Sequence, residues 1–278
     1  MLYFDHAATT PVHPKVAEKM DRVSRQDFGN PSSIYSSGRS SRSIIEKARI
    51  QTAAMIEALP SEIFFTGSGT ESNNIVLWSL LYQKNKHVIT SSIEHPAVLK
   101  VLDELTIFGV TYDILKVDST GLINPEDLRS AIKGDTGLIS IMYVNNEVGT
   151  VQKIKELVEI ARDHAVPFHS DCVQSIGKMP VSSTRLGVDY MSFSAHKFYG
   201  PKGIGFLYKK RGLPIKPLII GGGQESNVRA GTENLSGIAG LGVASELVTN
   251  ELNNRIEHLK KLQTYFKSKI LDLSLIHI

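Results

Sequence analysis

YMSFSAHKFYGPKGIGFLY, residues 190–208, is the stretch on which the reading of the fold turns. An apolar run of strand length ends in Ser194, His196 and Lys197, and a glycine-rich turn leads at once into a second apolar run. The pattern predicts two adjacent strands with a lysine at the mouth between them. Most lysines at strand ends are solvated cations. A lysine becomes a nucleophile when its amine is held neutral or is already condensed with a carbonyl. Lys197 has two hydrogen-bonding neighbours and a loop without bulky side chains, which makes it a candidate for such covalent chemistry.

Working outward, the same strand type recurs. EIFFTG (62–67), HVITSS (87–92), TYDILKV (111–117), GLISIMYV (137–144) and PFHSD (167–171) read as strands. Helical patterns separate them, near 14–24, from about 39 to Pro60 with Ile44, Ile45, Ala48, Ile50 and Ile56, and at 70–84, 96–109, 125–133 and 153–165. Apolar strands alternating with helices predict an α/β fold with a largely parallel sheet covered on both faces. In such sheets ligands bind beyond the carboxyl ends of the strands. The residues expected there are Thr66 to Thr70, Ser91 to His95, Asn145 to Glu147, Asp171 to Gln174 and Ser194 to Lys197. Five polar strand ends on one edge predict a single site. Beyond them lies a glycine-rich loop at 221–234 containing Arg229. A small-residue helix from 237 then leads into a longer one with a stripe of Leu252, Ile256, Leu259, Leu262, Phe266 and Ile270, which needs a partner surface.

Composition narrows the function classes. The 278 residues carry 31 Lys and Arg against 28 Asp and Glu, a net +3 that is too balanced for a nucleic-acid footprint. No apolar run approaches the roughly 18 residues of a membrane span, and MLYFDHAATTPVHP is not a signal peptide. The one cysteine, Cys172, excludes an intrachain disulfide and suits a reducing cytoplasm.

The strand ends supply distinct chemistries. GSGTESNN (67–74) places glycines before a helix, with Ser68 and Thr70 hydroxyls beside free N–H groups, and fits an isolated phosphate. The plainer alternative is an N-cap at Thr70 with Asn73 close to the box position. HSDCVQ (169–174) puts Asp171 at the end of a buried strand, where a carboxylate needs a cation. That cation is either a metal shared with His169 or a protonated ring nitrogen. His95 is either a helix-entry histidine or a ring that stacks on a flat cofactor and moves protons. Asn146 and Gln174 offer amides to a ring hydroxyl or to a loop. Together, a phosphate seat (Thr70, Ser194, His196), an acid for a ring nitrogen, a stacking ring and an aldehyde-binding amine describe pyridoxal 5′-phosphate.

The motifs YFDHAATTP (3–11), FGNPSS (28–33), FTGSGTESNN (65–74), EHPAV (94–98), VNNEVGTVQ (144–152), HSDCVQ, SAHKFYGPKGIGFLY (194–208) and GGGQESNVRAGTEN (221–234) occur in this order. In these the chain resembles cysteine desulfurases of the NifS/IscS type, within the class V, fold-type-I pyridoxal-phosphate enzymes. The resemblance implies a seven-stranded, mostly parallel sheet sandwiched by helices, with an incomplete small α/β domain. It divides the chain into an N-terminal arm (1–13), a cofactor domain (14–250) and a linker helix with the start of the small domain (251–278). It implies Lys197 as the Schiff-base lysine, Asp171 as the ring-nitrogen partner, and Gln174 and Asn146 as ring contacts. His95 is implied as the stacking and proton-transfer residue, and Gly69, Thr70, Ser194 and His196 as the phosphate seat. Thr232 is implied to reach the phosphate of a second copy in a homodimer. The implied reaction takes L-cysteine to L-alanine and hands sulfur to a thiol, for an iron–sulfur scaffold or for tRNA thiolation. The family's persulfide cysteine and its carboxylate-binding arginine belong to a C-terminal region without a counterpart here. The ending LDLSLIHI is therefore expected to mark a truncated reading frame, inactive or impaired by itself. The alternatives are a selenocysteine lyase or another class V aminotransferase, and a non-catalytic dimerising fragment.

Overall fold

The computed structural model describes residues 2–271. Their strands are β1 (Ile63–Thr66), β2 (His87–Ser91), β3 (Thr111–Leu115), β4 (Thr136–Ser140), β5 (Phe168–Asp171), β6 (Tyr190–Ser194) and β7 (Gly205–Lys209). The helices are α1 (Pro14–Gln26), α2 (Ser36–Met55), α3 (Gly69–Trp78), α4 (Pro96–Leu105), α5 (Pro125–Ala131), α6 (Ile154–Asp163), α7 (Ser183–Leu186) and α8 (Leu235–Leu271). One seven-stranded sheet runs β1-β7-β6-β5-β4-β2-β3. Only β7 is reversed, pairing antiparallel with both β1 and β6, while β6-β5, β5-β4, β4-β2 and β2-β3 are parallel. The carboxyl ends of the other six strands therefore lie on one edge. This is the mostly parallel sheet that the sequence predicts.

The strands other than the edge strand β3 are buried because each face has its own helical cover. Successive residues point to opposite faces, and the core divides accordingly. Phe64, Val88, Leu138, Tyr190 and Leu207 pack with Ile75 and Leu77 of α3 and Val98 and Leu102 of α4. Their strand neighbours Phe65, Ile89, Ile139, Met191 and Phe206 pack on the other face with Ile45 of α2, Leu157 of α6 and Leu241 of α8. Each such fully buried side chain contributes roughly 1.5–3 kcal/mol of transfer free energy.

Several boundaries differ from the sequence reading. β4 stops at Ser140, but the chain continues beside β5, with Ile141 N donating to His169 O and Tyr143 N to Asp171 O. It then folds back through a Val144–Val151 bridge, which makes 145–150 a turn beyond the carboxyl ends of the strands. α8 is one continuous 37-residue helix rather than two. Its first half is buried on α2, where a Cβ at Gly242 would meet the Ala48 Cβ at 2.7 Å, so only glycine permits that approach. Further along, Leu259, Leu262 and Phe266 are exposed, in keeping with the unpartnered stripe. On α2 the inward stripe is Ile45, Ala48, Arg49 and Thr52, and Ile50 faces outward. Residues 272–278, and with them most of LDLSLIHI, lie outside the described residues.

Candidate active site

The strand ends enclose a cavity of about 610 Å³. Its wall includes Ser68, Gly69, Thr70, His95, Asn146, Asp171, Gln174, Ser194, His196 and Lys197. Thr232 is not among them. It is exposed in the 221–234 loop, beside a separate cavity of about 250 Å³.

Asp171 forms the floor. It is buried, with Oδ2 accepting from Asn73 Nδ2 at 2.7 Å and Oδ1 from Val173 N at 3.0 Å. Burial raises its pKa, against the pull of those two bonds and of His95 and Lys197. A cationic group brought against it would therefore regain electrostatic energy that burial has removed. The neighbouring strand histidine is not available to share a metal. His169 Nδ1 lies 2.8 Å from Ser140 Oγ and Nε2 lies 3.0 Å from Ser192 Oγ, and burial lowers its pKa to about 3. Among the described residues no group of three His, Cys, Asp or Glu could hold a metal ion.

Opposite the floor, α3 begins with Ser68, not Thr70, as its N-cap: Ser68 Oγ accepts from Glu71 N at 3.1 Å. The shift leaves Gly69 and Thr70 inside the first turn, where backbone N–H groups have no intrahelical acceptor and the helix dipole favours an anion. A Cβ at Gly69 would lie 2.5 Å from Val173 Cγ2. The glycine thus lets the helix head approach the loop after Asp171. At the head of α4, His95 Nδ1 accepts from Ala97 N at 3.1 Å. In the neutral ring this places the proton on Nε2.

Lys197 Nζ donates to Ala7 O at 2.6 Å and Ala8 O at 2.8 Å. Burial lowers its pKa, while Asp5 and Asp171 pull the other way. The arm that receives it is fastened in turn: Thr10 N and Oγ1 donate to His196 O, His13 N to Tyr199 O, and Tyr199 N to Thr10 Oγ1. His196 Nδ1 lies 3.0 Å from Thr9 Oγ1. The sequence reading missed these arm contacts, and it assigned Asn73 only to a cap. It also missed Lys178, which donates to Gln174 Oε1 while Gln174 Nε2 donates to Ala7 O at 3.0 Å. The four-residue spacing of Gln174 and Lys178 was the available signal.

Cys172 is fully buried, and burial pushes its thiol up to about 12. A thiol so far from ionisation is not a nucleophile at neutral pH.

Comparison with known proteins gives the family. A family model described as aminotransferase class-V matches residues 2–278. A cysteine desulfurase IscS of Dictyoglomus turgidum is 49% identical over 268 residues, which cover 95% of this chain and 68% of that protein. The solved structure of a NifS-like protein superposes with a TM-score of 0.95 at 42% identity, covering 98% of this chain and 76% of the other. SspA, solved in complex with cysteine, superposes with a TM-score of 0.86 at 41% identity, over 88% of this chain and 72% of the other. The chain belongs to the class-V aminotransferase family, among its cysteine desulfurases of the NifS/IscS type.

Proposed function

We propose that the cavity holds pyridoxal 5′-phosphate and acts on L-cysteine, releasing L-alanine and passing the sulfur to a thiol. The observation that carries this reading is the pairing of a buried carboxylate with an amine across one cavity. Asp171 has no cation of its own, and Lys197 is held at the cavity wall by two carbonyls that any other acceptor could replace. A ring cation, an aldehyde and a phosphate would meet Asp171, Lys197 and the head of α3 respectively. When bound, the cofactor supplies an electron sink for charge that develops at the substrate Cα.

This chain's residues would do the rest. Lys197 would hold the aldehyde carbon and, when displaced, return to Ala7 O and Ala8 O. His95 would cover the ring and exchange a proton at Nε2. Gln174, oriented by Lys178, and Asn146 would contact the ring hydroxyl. Gly69, Thr70, Ser194 and His196 would seat the phosphate, and Thr232 would reach the phosphate of a second copy in a homodimer. Cys172 is excluded as the sulfur-accepting thiol by burial, so the acceptor is a thiol that these 278 residues do not supply. We place the enzyme in a reducing, cytoplasmic setting, delivering sulfur to an iron–sulfur scaffold or another acceptor protein. Among the described residues no helix is long and apolar enough to cross a membrane.

The test is product analysis with L-cysteine, a thiol acceptor and the cofactor. Alanine and persulfide sulfur in equal amounts support the reading. A keto acid instead of alanine would assign an aminotransferase, and selenocysteine turnover without cysteine turnover would assign a lyase.

A further inference from the structure

Glu94 directly precedes His95, and none of the roles above uses it. It is buried, with 6% of its surface exposed. Oε1 accepts from Ser91 Oγ at 2.5 Å and from Met142 N at 2.8 Å, tying the end of β2 to the extended stretch that follows β4. Oε2 is buried as well and has no hydrogen-bond partner.

The charged groups around this carboxyl offer it no cation. Asp171, at the end of β5, acts on it as a second acidic group, and the pull of His95 and Lys197 falls on Asp171. On α3, Glu71 pairs with Arg229. Lys100 of α4 and Glu147 of the 145–150 turn are exposed to solvent. An ionised Glu94 would place a second, unpaired negative charge in the dry region beside Asp171, a situation that buried carboxyls escape by taking up a proton.

We propose that Glu94 is a neutral carboxylic acid and a positioning residue, clamping the His95 turn to the end of β4 while leaving Asp171 the only anion at the floor of the cavity. Burial pushes Glu94 up to about 8, the Ser91 and Met142 bonds pull it down, and Asp171 adds to the rise. An acid so placed fixes geometry without competing with Asp171 for a ring cation, which a carboxylate at the same position would do.

The inference rests on the proposed function only for what His95 and Asp171 act on, and the test separates the two. Wild type, Glu94→Gln and Glu94→Ala are melted across about pH 5 to about pH 9. In the unfolded chain Glu94 ionises near 4.5, but in the folded chain near 8. Between those values the folded state binds the extra proton, so stability is complete below about 4.5 and is lost as pH rises to about 8. Glu94→Gln has no proton to lose. Its melting profile should be flatter, and it should melt above wild type at pH 8. Infrared difference spectra of wild type minus Glu94→Gln at neutral pH should show the C=O band of a protonated carboxylic acid. With pyridoxal phosphate added, Glu94→Gln should keep an affinity within about twofold, and Glu94→Ala should lose about tenfold or more. A Glu94→Gln profile parallel to wild type, or no protonated-acid band, overturns the proposal. If wild type does not bind the cofactor while the Glu94→Gln profile still flattens, the proposed function fails and the neutral acid stands.

Discussion

Arg49 on α2 and Glu225 in the 221–234 loop make a buried, two-pronged ion pair, with Nη1 and Nη2 each 2.8 Å from a carboxylate oxygen. Arg49 Nη1 also donates to Ile63 O, and Phe65 N donates to Glu225 Oε2, both at 2.8 Å. The guanidinium lies 4.8 Å above the Phe65 ring. The pair thus pins the loop to the start of β1. The loop needs pinning, because Glu225, Ser226 and Asn227 all adopt left-handed backbone angles, with φ of 44°, 54° and 65°. Such non-glycine residues cost about 1–3 kcal/mol each. Arg49→Met leaves Glu225 with its side chain 3% exposed and without its cation. Removing one partner of a buried pair costs about 3–5 kcal/mol. At about 2–4 °C per kcal/mol for a chain of this size, the melting temperature should fall by about 6–20 °C. Circular dichroism melts at neutral pH measure this, and limited proteolysis should show faster cutting within 221–234. Arg49→Met with Glu225→Leu removes both charges and should recover at least half of the loss. A single variant within about 1 kcal/mol of wild type, or a double variant as poor as the sum of both singles, refutes the reasoning.

Gly205→Ala should destabilise by about 1–3 kcal/mol and weaken phosphate binding, because a Cβ there meets Phe193 O and, at 2.7 Å, Ser68 C, both backbone. An unchanged melting temperature and affinity would contradict this. Asp171→Asn should lose about 1.5–3 kcal/mol of cofactor affinity, roughly 10- to 150-fold, as read by titration of the absorbance. Cys172 should resist thiol reagents in the native protein and react once the chain is denatured, since its thiol is fully buried and pushed up to about 12. Labelling of the native state would reopen its role.

The parts of this site visible in the sequence are those that local chemistry fixes. Apolar runs of strand length ending in polar residues placed Asp171, Ser194 and Lys197 at one edge, because the pleat and a doubly covered sheet leave few other arrangements. The contacts that were not visible are long-range ones. Residues 5–13 have no periodicity, and their place is set by bonds from Thr10 and His13 to residues 196–199. Arg49 occupies a position that helical spacing assigns to an apolar residue, and the charge is matched by Glu225, 176 residues away. The sequence left Thr70 open as an alternative cap for α3 because threonine and serine are both good caps. The backbone chose Ser68, whose extended φ of −174° lets Oγ reach Glu71 N.

The central claim is that Lys197 carries the cofactor against Asp171. Protein loaded with pyridoxal phosphate, reduced with borohydride and digested, tests it most directly by mass spectrometry. A pyridoxyl group on the peptide containing Lys197, absent from Lys197→Ala, is the expected result. Modification of another lysine such as Lys178, or an unmodified chain that still retains the visible absorbance in Lys197→Ala, would contradict the account.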